Sequence, residues 1–550
     1  MTMAAPSSSE RHADTGGPCG NGTENVNEET KRAVPSDDQD CLDGDASNLS
    51  SVPVHTFPGM RHLVAFLGFL GFVNVYSMRV NLSVAIVAMV NSSAISHVNT
   101  SSPDVCPLPN NTNTSTNYNG EFAWTEEEQG IILGSFFWGY IATNILGGRL
   151  AENFGGHIVM GVGVGATSVL TLLTPYAARS SVNLFIALRV AEGLTEGLTF
   201  PAMMAMLAVW TPPLERTQTV IGVFSGAIFG TVLALPASGY LCSSTFLGGW
   251  PAAFYIFGAI GVLWLLVWAA IASRTPEKHP WMSDKEKLYI STSLRCQVLL
   301  SEQSLPVPYR AIFTSMPFYA IAVCHMAQNY VFYVLLTELP TYLNNILHFD
   351  IKQNSLLSAL PYFAMFVFGV SCAFVCDFLR ASGRLTTTQA RLIFSSIGML
   401  GPAVFLVAVA YTGCDAVLSV TMLTLAVGLN GATGSGHGCA HLDIAPNFGG
   451  TLMGITNTVA TVPAFLAPLT VGALISGQET LERWRLVFWL TVIIIVAGNT
   501  FFVAYYRGEL QPWNEPNYEP DSGSVNSSES DDDQETEDED RYLVRQSSGN

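Results

Sequence analysis

Apolar residues along this chain do not alternate with polar ones. They collect into long runs separated by short polar breaks. A bilayer core takes about 20 apolar residues per helix. Runs of that kind fall near 61–90, 128–150, 157–177, 182–210, 219–241, 251–273, 315–347, 354–379, 391–411, 416–441, 450–475 and 484–506. A long charged gap from Arg274 to Tyr309 divides the twelve runs six and six. The pattern predicts an all-α membrane protein of two six-helix bundles, 60–273 and 315–506. A linker at 274–314 joins them, and tails cover 1–59 and 507–550. The first apolar run starts near Leu63, after a hydrophilic stretch. No cleavable signal is therefore expected, and the first helix acts as its own insertion signal.

Composition agrees. Hydrophobic residues make up 49% and charged residues only 12%, against about 25% charged in a soluble protein. The net charge of -19 sits in the tails, which carry -7 over 1–59 and -11 over 508–550. Such polar, charged segments bury too little apolar surface to fold. The acidic run from Glu529 to Asp540 reads as a solvated tail, and no nucleic-acid partner is expected. The cysteines lack metal spacing. Cys372 and Cys376, one helical turn apart in an apolar run, read as packing. Cys106, Cys242 and Cys414 fall on the exterior side and leave their pairing open.

Orientation follows from lysine and arginine in the short loops. With a cytosolic N-terminus, the inner loops hold Arg149, Arg216, Arg274, Lys278, Lys285, Lys287, Arg295, Arg310, Arg380, Arg384 and Arg391. The outer loops hold only Arg179, Lys352, Arg483 and Arg485. Both tails are thus expected in the cytosol. The loop at 91–127 has no lysine or arginine and carries glycosylation sequons at Asn91, Asn99, Asn110 and Asn113. Asn91 lies too near the membrane, which leaves Asn99, Asn110 and Asn113 as expected acceptors.

A charge at the centre of a membrane helix costs roughly 2.5–3.5 kcal/mol on insertion scales. Charged or titratable exceptions therefore mark candidates: Arg79 in helix 1, Arg189, Glu192 and Glu196 in helix 4, His325 and Glu338 in helix 7, and His437, His441 and Asp443 at the end of helix 10. Arg189, Glu192 and Glu196 share one helix face by spacing. Two neighbouring carboxylates in a low dielectric do not both ionise freely, which is what proton coupling requires. The alternative is a structural Arg189–Glu192 pair that fixes packing. Arg79 lacks an acidic partner in its own helix. Either a helix-4 glutamate pairs with it, or its planar fork holds an anionic substrate. His325 reads equally as a proton carrier or as a core histidine.

Between helices 2 and 3 stands Gly147-Gly148-Arg149-Leu150-Ala151-Glu152-Asn153-Phe154-Gly155-Gly156, with a weaker counterpart at Asp377-Phe378-Leu379-Arg380. This resembles the signature loop of the major facilitator superfamily, which implies that fold and gating roles for Gly148, Glu152, Gly155 and Asp377. Longer strings are more specific: Tyr76-Ser-Met-Arg79-Val-Asn81, Gly134-Ser-Phe-Phe-Trp-Gly-Tyr140, Glu196-Gly-Leu-Thr-Phe-Pro-Ala-Met203, Pro212-Pro-Leu-Glu-Arg216 and His441-Leu-Asp-Ile-Ala-Pro446. They resemble solute carrier family 17 over about residues 61–507. The sialin branch is the better match. The helix-7 arginine of the glutamate branch is replaced by Gln328, its helix-2 histidine by Leu133, and His325 stands where the sialin branch has histidine. His157 and Glu338 depart from that branch, as does the lack of an acidic dileucine in the N-tail.

The resemblance implies a secondary active transporter, not an enzyme, that moves small organic anions by proton-coupled symport. Acidic sugars such as sialic acid come first, with acidic amino acids next. It assigns substrate contact to Arg79, Tyr76, Tyr140 and Tyr333, and proton coupling to Glu192, Glu196 and His325. Arg189 is structural. No cofactor is expected beyond a transmembrane proton or sodium gradient. The alternatives are a sodium-dependent phosphate or organic-anion cotransporter, or a vesicular glutamate-type transporter. A lysosomal or synaptic and secretory vesicle membrane is expected ahead of the plasma membrane.

Overall fold

A computed structural model describes residues 59–90, 120–294, 305–346, 351–475 and 480–515, all within one compact unit. The expected sequons Asn99, Asn110 and Asn113 lie outside the described residues. The spans are α1 (Met60–Met89), α2 (Glu126–Phe154), α3 (Gly156–Ser180), α4 (Val182–Glu196, then Thr199–Trp210), α5 (Arg216–Ser243) and α6 (Pro251–Ile271). They continue as α7 (Met316–Asn345), α8 (Ile351–Ala381), α9 (Thr387–Val409), α10 (Ala416–Asn430, with turns leading to Ala440–Ile444), α11 (Gly449–Thr461, then Pro463–Ile475) and α12 (Leu481–Tyr505). Eleven are long and apolar enough to cross a membrane.

The twelfth, α4, is broken into two shorter helices. Pro201 has no N–H to give to the carbonyl of Gly197, four residues back. The helix ends at Glu196 and restarts at Thr199. The sequence predicts one unbroken span over 182–210; the proline divides it, and Glu196 becomes the last residue of its first half. α10 also loosens, where Gly431, Gly434, Gly436 and Gly438 replace regular helix by short turns.

Local chemistry fixes the ends of several spans. Thr125 and Glu128 form a capping box at the start of α2, and Thr386 and Gln389 another at the start of α9. Gly155 joins α2 to α3 at φ 97°, a conformation that side chains with a Cβ rarely adopt. Where α2 crosses α4, Gly139 faces Val190 and Gly193 faces Phe136 so closely that a Cβ on either would overlap a carbonyl oxygen.

Two large apolar cores result. One is built from residues between Ile312 and Trp513. The other is built from Val64 to Leu294, joined by Ala373, Cys439, Leu442 and Met453. The linker forms a helix, Asp284–Leu294, against the start of α1. Glu286 accepts from the amides of Met60 (2.9 Å) and Arg61 (3.1 Å) and from the Arg61 guanidinium (3.1 Å). Burial pushes the Glu286 carboxyl up, but these hydrogen bonds and the Arg61 charge outweigh it and hold it below the usual range. Arg61 also grips Glu215 with two nitrogens, at 2.9 and 3.1 Å. We call this side of the molecule the linker end.

The C-terminal tail starts later than the hydropathy pattern implies. Trp513 and Asn514 are buried. Gln511 donates to the Ile444 carbonyl (2.8 Å), and Asn447 donates to Asn514 through its amide (3.1 Å) and side chain (2.9 Å). At the far end, between α9 and α10, Cys414 is disulfide-bonded. Cys242 is a free thiol.

Candidate functional site

α1, α2, α4 and α7 converge midway between the two ends. Arg79 of α1 enters a cage of aromatic faces. Its guanidinium carbon lies 4.7 Å from the ring centres of Phe136 and Tyr140, 5.1 Å from Phe137 and 5.3 Å from Tyr76. Such faces attract a desolvated cation without neutralising it. Tyr333 of α7 faces the same charge and packs edge-on against Phe137 at 5.6 Å. Arg79, Tyr76, Tyr140 and Tyr333 therefore form one group, as the motif comparison implies. Phe136 and Phe137 join them. They sit inside the quoted Gly134–Tyr140 string, but only the fold shows which face they present.

The two helix-4 glutamates part company. Glu192 is hydrogen-bonded to Arg189, accepts from Thr174 at 3.1 Å and meets Thr171 at 3.5 Å. Its acceptor sites are occupied by groups of α3 and α4. Glu196 has no exposed surface. Its Oε1 lies 3.4 Å from Arg79 Nη1, and neither carboxylate oxygen meets a hydrogen-bond donor in good geometry. Arg79 Nη2 is likewise buried without a partner. The cation and anion are thus buried and paired across helices, with Tyr333 beside Arg79 and both Glu196 oxygens short of donors. Arg189 pairs with Glu192 and lies over the Phe136 ring.

Toward the linker end the halves are sealed by a repeated device. Glu152, at the end of α2, accepts from the amide and hydroxyl of Thr451, both at 2.7 Å, and from Arg149 at 2.8 Å. Asp377, near the end of α8, accepts from the amide of Gln218 at 2.7 Å and from Arg380 at 3.2 Å. Thr451 and Gln218 are each the third residue of a helix from the opposite half, in α11 and α5. Each carboxylate thus caps a helix N-terminus whose amides lack intrahelical partners and whose dipole favours negative charge. Gly148 lies against Gly450, where a Cβ would strike the carbonyl oxygen. The motif residues Gly148, Glu152 and Asp377 therefore meet in one layer, and Gly155 supplies the turn beside it.

Behind this layer Asp443 accepts from Arg391 at 2.6 and 3.4 Å and lies 3.7 Å from Arg216. Arg391 also donates to Thr217 (3.0 Å) and to the carbonyl of Ser435 (2.8 Å). Arg216 and Arg391 are counted above as loop charges. The structure corrects this: both are buried inside the seal, because Asp443 draws them there. Nearer the middle, Asn457 donates to the Tyr140 hydroxyl at 2.9 Å and to Asn144 at 2.8 Å, tying α11 to α2. His325 is not in the Arg79 cage. It stands beside His437 and His441, with ring centres 5.9 and 6.3 Å away.

The sequence pattern of the Major Facilitator Superfamily matches residues 64–468. Human sialin is 45% identical over 456 residues, covering 82% of this chain and 90% of its own. A putative inorganic phosphate cotransporter of Drosophila melanogaster is 42% identical, covering 83% and 86%. Vesicular glutamate transporter 1 of Xenopus tropicalis is 36% identical, covering 83% and 76%. Among solved structures, the proton:xylose symporter XylE bound to 6-bromo-6-deoxy-D-glucose superposes with a TM-score of 0.59 at 15% identity, over 82% of this chain and 97% of that one. That likeness supports the fold alone.

Proposed function

The chain belongs to the Major Facilitator Superfamily, among the solute carrier 17 relatives of sialin, and on that footing we propose that it carries small organic anions by proton-coupled symport. It is a multi-pass membrane transporter and not an enzyme. The observation that carries the finer reading is the Arg79–Glu196 pair. While Glu196 is ionised it occupies the cation. A proton on Glu196 releases Arg79, whose fork then receives a carboxylate of the substrate. One proton and one anionic group thus enter the site together, and neither enters favourably alone.

The aromatic cage favours a substrate with an apolar or ring-shaped body beside its carboxylate, which points to acidic sugars ahead of inorganic phosphate. The seal closes the carrier at the linker end. We read the far end as lumenal, with both tails cytosolic, in a lysosomal or vesicular membrane. Relatives named as a putative inorganic phosphate cotransporter and a vesicular glutamate transporter define the rival substrates, and sodium stays the rival ion of the sequence reading.

The test is uptake into vesicles containing the purified protein, with sialic acid, glucuronate, glutamate and phosphate as labelled solutes. Proton and sodium gradients are imposed separately. Accumulation of an acidic sugar on a proton gradient is the expected result. Phosphate uptake that follows only sodium would replace this reading. For orientation, Asn99→Gln, Asn110→Gln and Asn113→Gln together should abolish most of a glycosidase-sensitive mobility shift.

A further inference from the structure

A second titratable cluster lies outside the Arg79 cage, in the C-terminal half. His325 of α7 is flanked by His437 and His441 of the loosened end of α10, with ring centres 5.9 and 6.3 Å away. Nδ1 of His325 is buried and without a hydrogen-bond partner, whereas His441 meets the Gly438 carbonyl as well as Thr456. His437 Nδ1 is 3.4 Å from both Cys324 Sγ and Ser395 Oγ, and His441 Nε2 is 2.8 Å from Thr456 Oγ1. His437 and His441 are almost fully buried. Packing alone does not call for two imidazoles around a third whose Nδ1 is unmatched. An apolar side chain would fill the same space without an unmet polar atom.

The cluster adjoins the seal. Ser395, which touches His437, is one turn along α9 from Arg391, whose guanidinium holds the Ser435 carbonyl two residues before His437. Asp443, the partner of Arg391 and Arg216, follows His441 by two residues. The charged and titratable groups facing this region come from every packed element. Cys324 from α7 touches His437, and Asp443 of α10 acts on His441 in the direction that favours a proton. Around Asp443 stand Arg391 from α9, Cys439 from α10, Tyr506 after α12, Arg216 from α5, and Cys376, Asp377 and Arg380 from α8. The arginines Arg216, Arg380 and Arg391 already exceed the acids Asp377 and Asp443 by one charge. A proton on any of the three imidazoles adds charge of the same sign.

We propose that His325, His437 and His441 form a second proton-binding site, distinct from Glu196, whose single proton loosens the linker-end seal. A second proton about 6 Å from the first is disfavoured roughly a hundredfold at an effective dielectric of about 20, so the cluster holds one. The protonated cluster repels Arg391 and Arg216. Separating the halves at the linker end carries Arg216 away with α5 and admits water, and both changes favour the proton. By linkage, acid favours the open linker end through this site, with a limiting slope of about tenfold per pH unit for one proton. The inference rests on superfamily membership and the geometry of the seal, and it does not depend on which solute is carried.

The measurement is hydrogen exchange by mass spectrometry on the full chain in lipid nanodiscs, without substrate, between pH 7.5 and 5.5. The reporters are the amides of Gln218 and Thr451, which donate to Asp377 and Glu152. Those carboxylates also titrate, so variants are compared with wild type at each pH, where the intrinsic exchange chemistry cancels. Protection of both amides should fall with acid in wild type, approaching tenfold per pH unit. That slope should flatten in the triple variant His325→Gln, His437→Gln, His441→Gln. Acid-independent protection in wild type, or an undiminished slope in the triple variant, overturns the proposal. If the triple variant does not fold, the single variants decide. Each should move the midpoint of the opening curve, and three unmoved midpoints overturn it equally.

Discussion

Arg79 Nη1 stands 3.4 Å from Glu196 Oε1, close enough for charge attraction and yet without a hydrogen bond at either Glu196 oxygen. A pair fixed for packing would bury its oxygens against donors, as Glu192 does. The loose pairing leaves the guanidinium fork free to turn toward another anion. Arg79→Lys retains the charge and loses the planar fork. Transport should drop about 10- to 100-fold, equivalent to the ~1.5–3 kcal/mol of a charged hydrogen bond. Yield and elution profile should stay near wild type. Uptake within twofold of wild type would show that no bidentate contact forms.

The two glutamates should separate in their phenotypes. Glu196→Gln removes the titrating group beside Arg79 while preserving shape. Accumulation driven by a pH gradient should vanish, and exchange at equal pH should survive. Glu192→Gln leaves Arg189 without its buried counter-charge. Breaking such a pair costs about 3–5 kcal/mol, so the loss should appear first as a lower melting temperature and lower yield. Matching behaviour of the two variants in both assays would contradict the division of roles.

Removing one cap should loosen the seal without touching the cage. Asp377→Asn weakens a charge-assisted bond to the Gln218 amide, and a cap of this kind is worth about 1 kcal/mol. Cys439 is fully buried beneath this layer. Its alkylation by N-ethylmaleimide, followed by mass spectrometry at constant pH, should quicken about fivefold, the equivalent of ~1 kcal/mol. An unchanged rate in both Asp377→Asn and Glu152→Gln would mean that these bonds do not hold the halves together.

The linker latch has a definite pH sign. The Glu286 carboxyl is held below its usual range in the folded protein. Its stabilisation is therefore complete above the ordinary carboxylate range, and it disappears as pH falls through the depressed folded value. Glu286→Gln should lower the melting temperature at neutral pH, by the equivalent of about 2 kcal/mol for hydrogen bonds to a charged group. The gap from wild type should close as the sample is acidified. A gap that widens with acid would reverse the assignment.

The spans were legible because a bilayer demands long uninterrupted apolar runs, and their order alone outlines two bundles. The aromatic and arginine positions around Arg79 were legible from long motifs. What the chain did not reveal was partner choice. Glu192 and Glu196 share a helix face, and spacing alone makes them look like one coupled pair. Position along α4 sends Glu192 to the threonines of α3 and Glu196 to α1. Arg216 and Arg391 look like ordinary loop charges, because the residue that buries them, Asp443, is distant from Arg216 in sequence. The break in α4 did have a local signal in Pro201, hidden inside an apolar stretch that otherwise reads as continuous.

The disulfide at Cys414 bears on the history of the molecule as well as its shape. Disulfides persist where thiols are kept oxidised, and they are rare where glutathione reduces them. A disulfide there fits the orientation proposed above, in which the turn between α9 and α10 faces an oxidising space. The spans alternate in direction, so every connection on the far end shares that space. On the same proposed orientation, the linker helix and the sealed end face the reducing side. A covalent bond at one surface loop thus bears on sidedness, and the orientation proposed from the lysine and arginine count accommodates it.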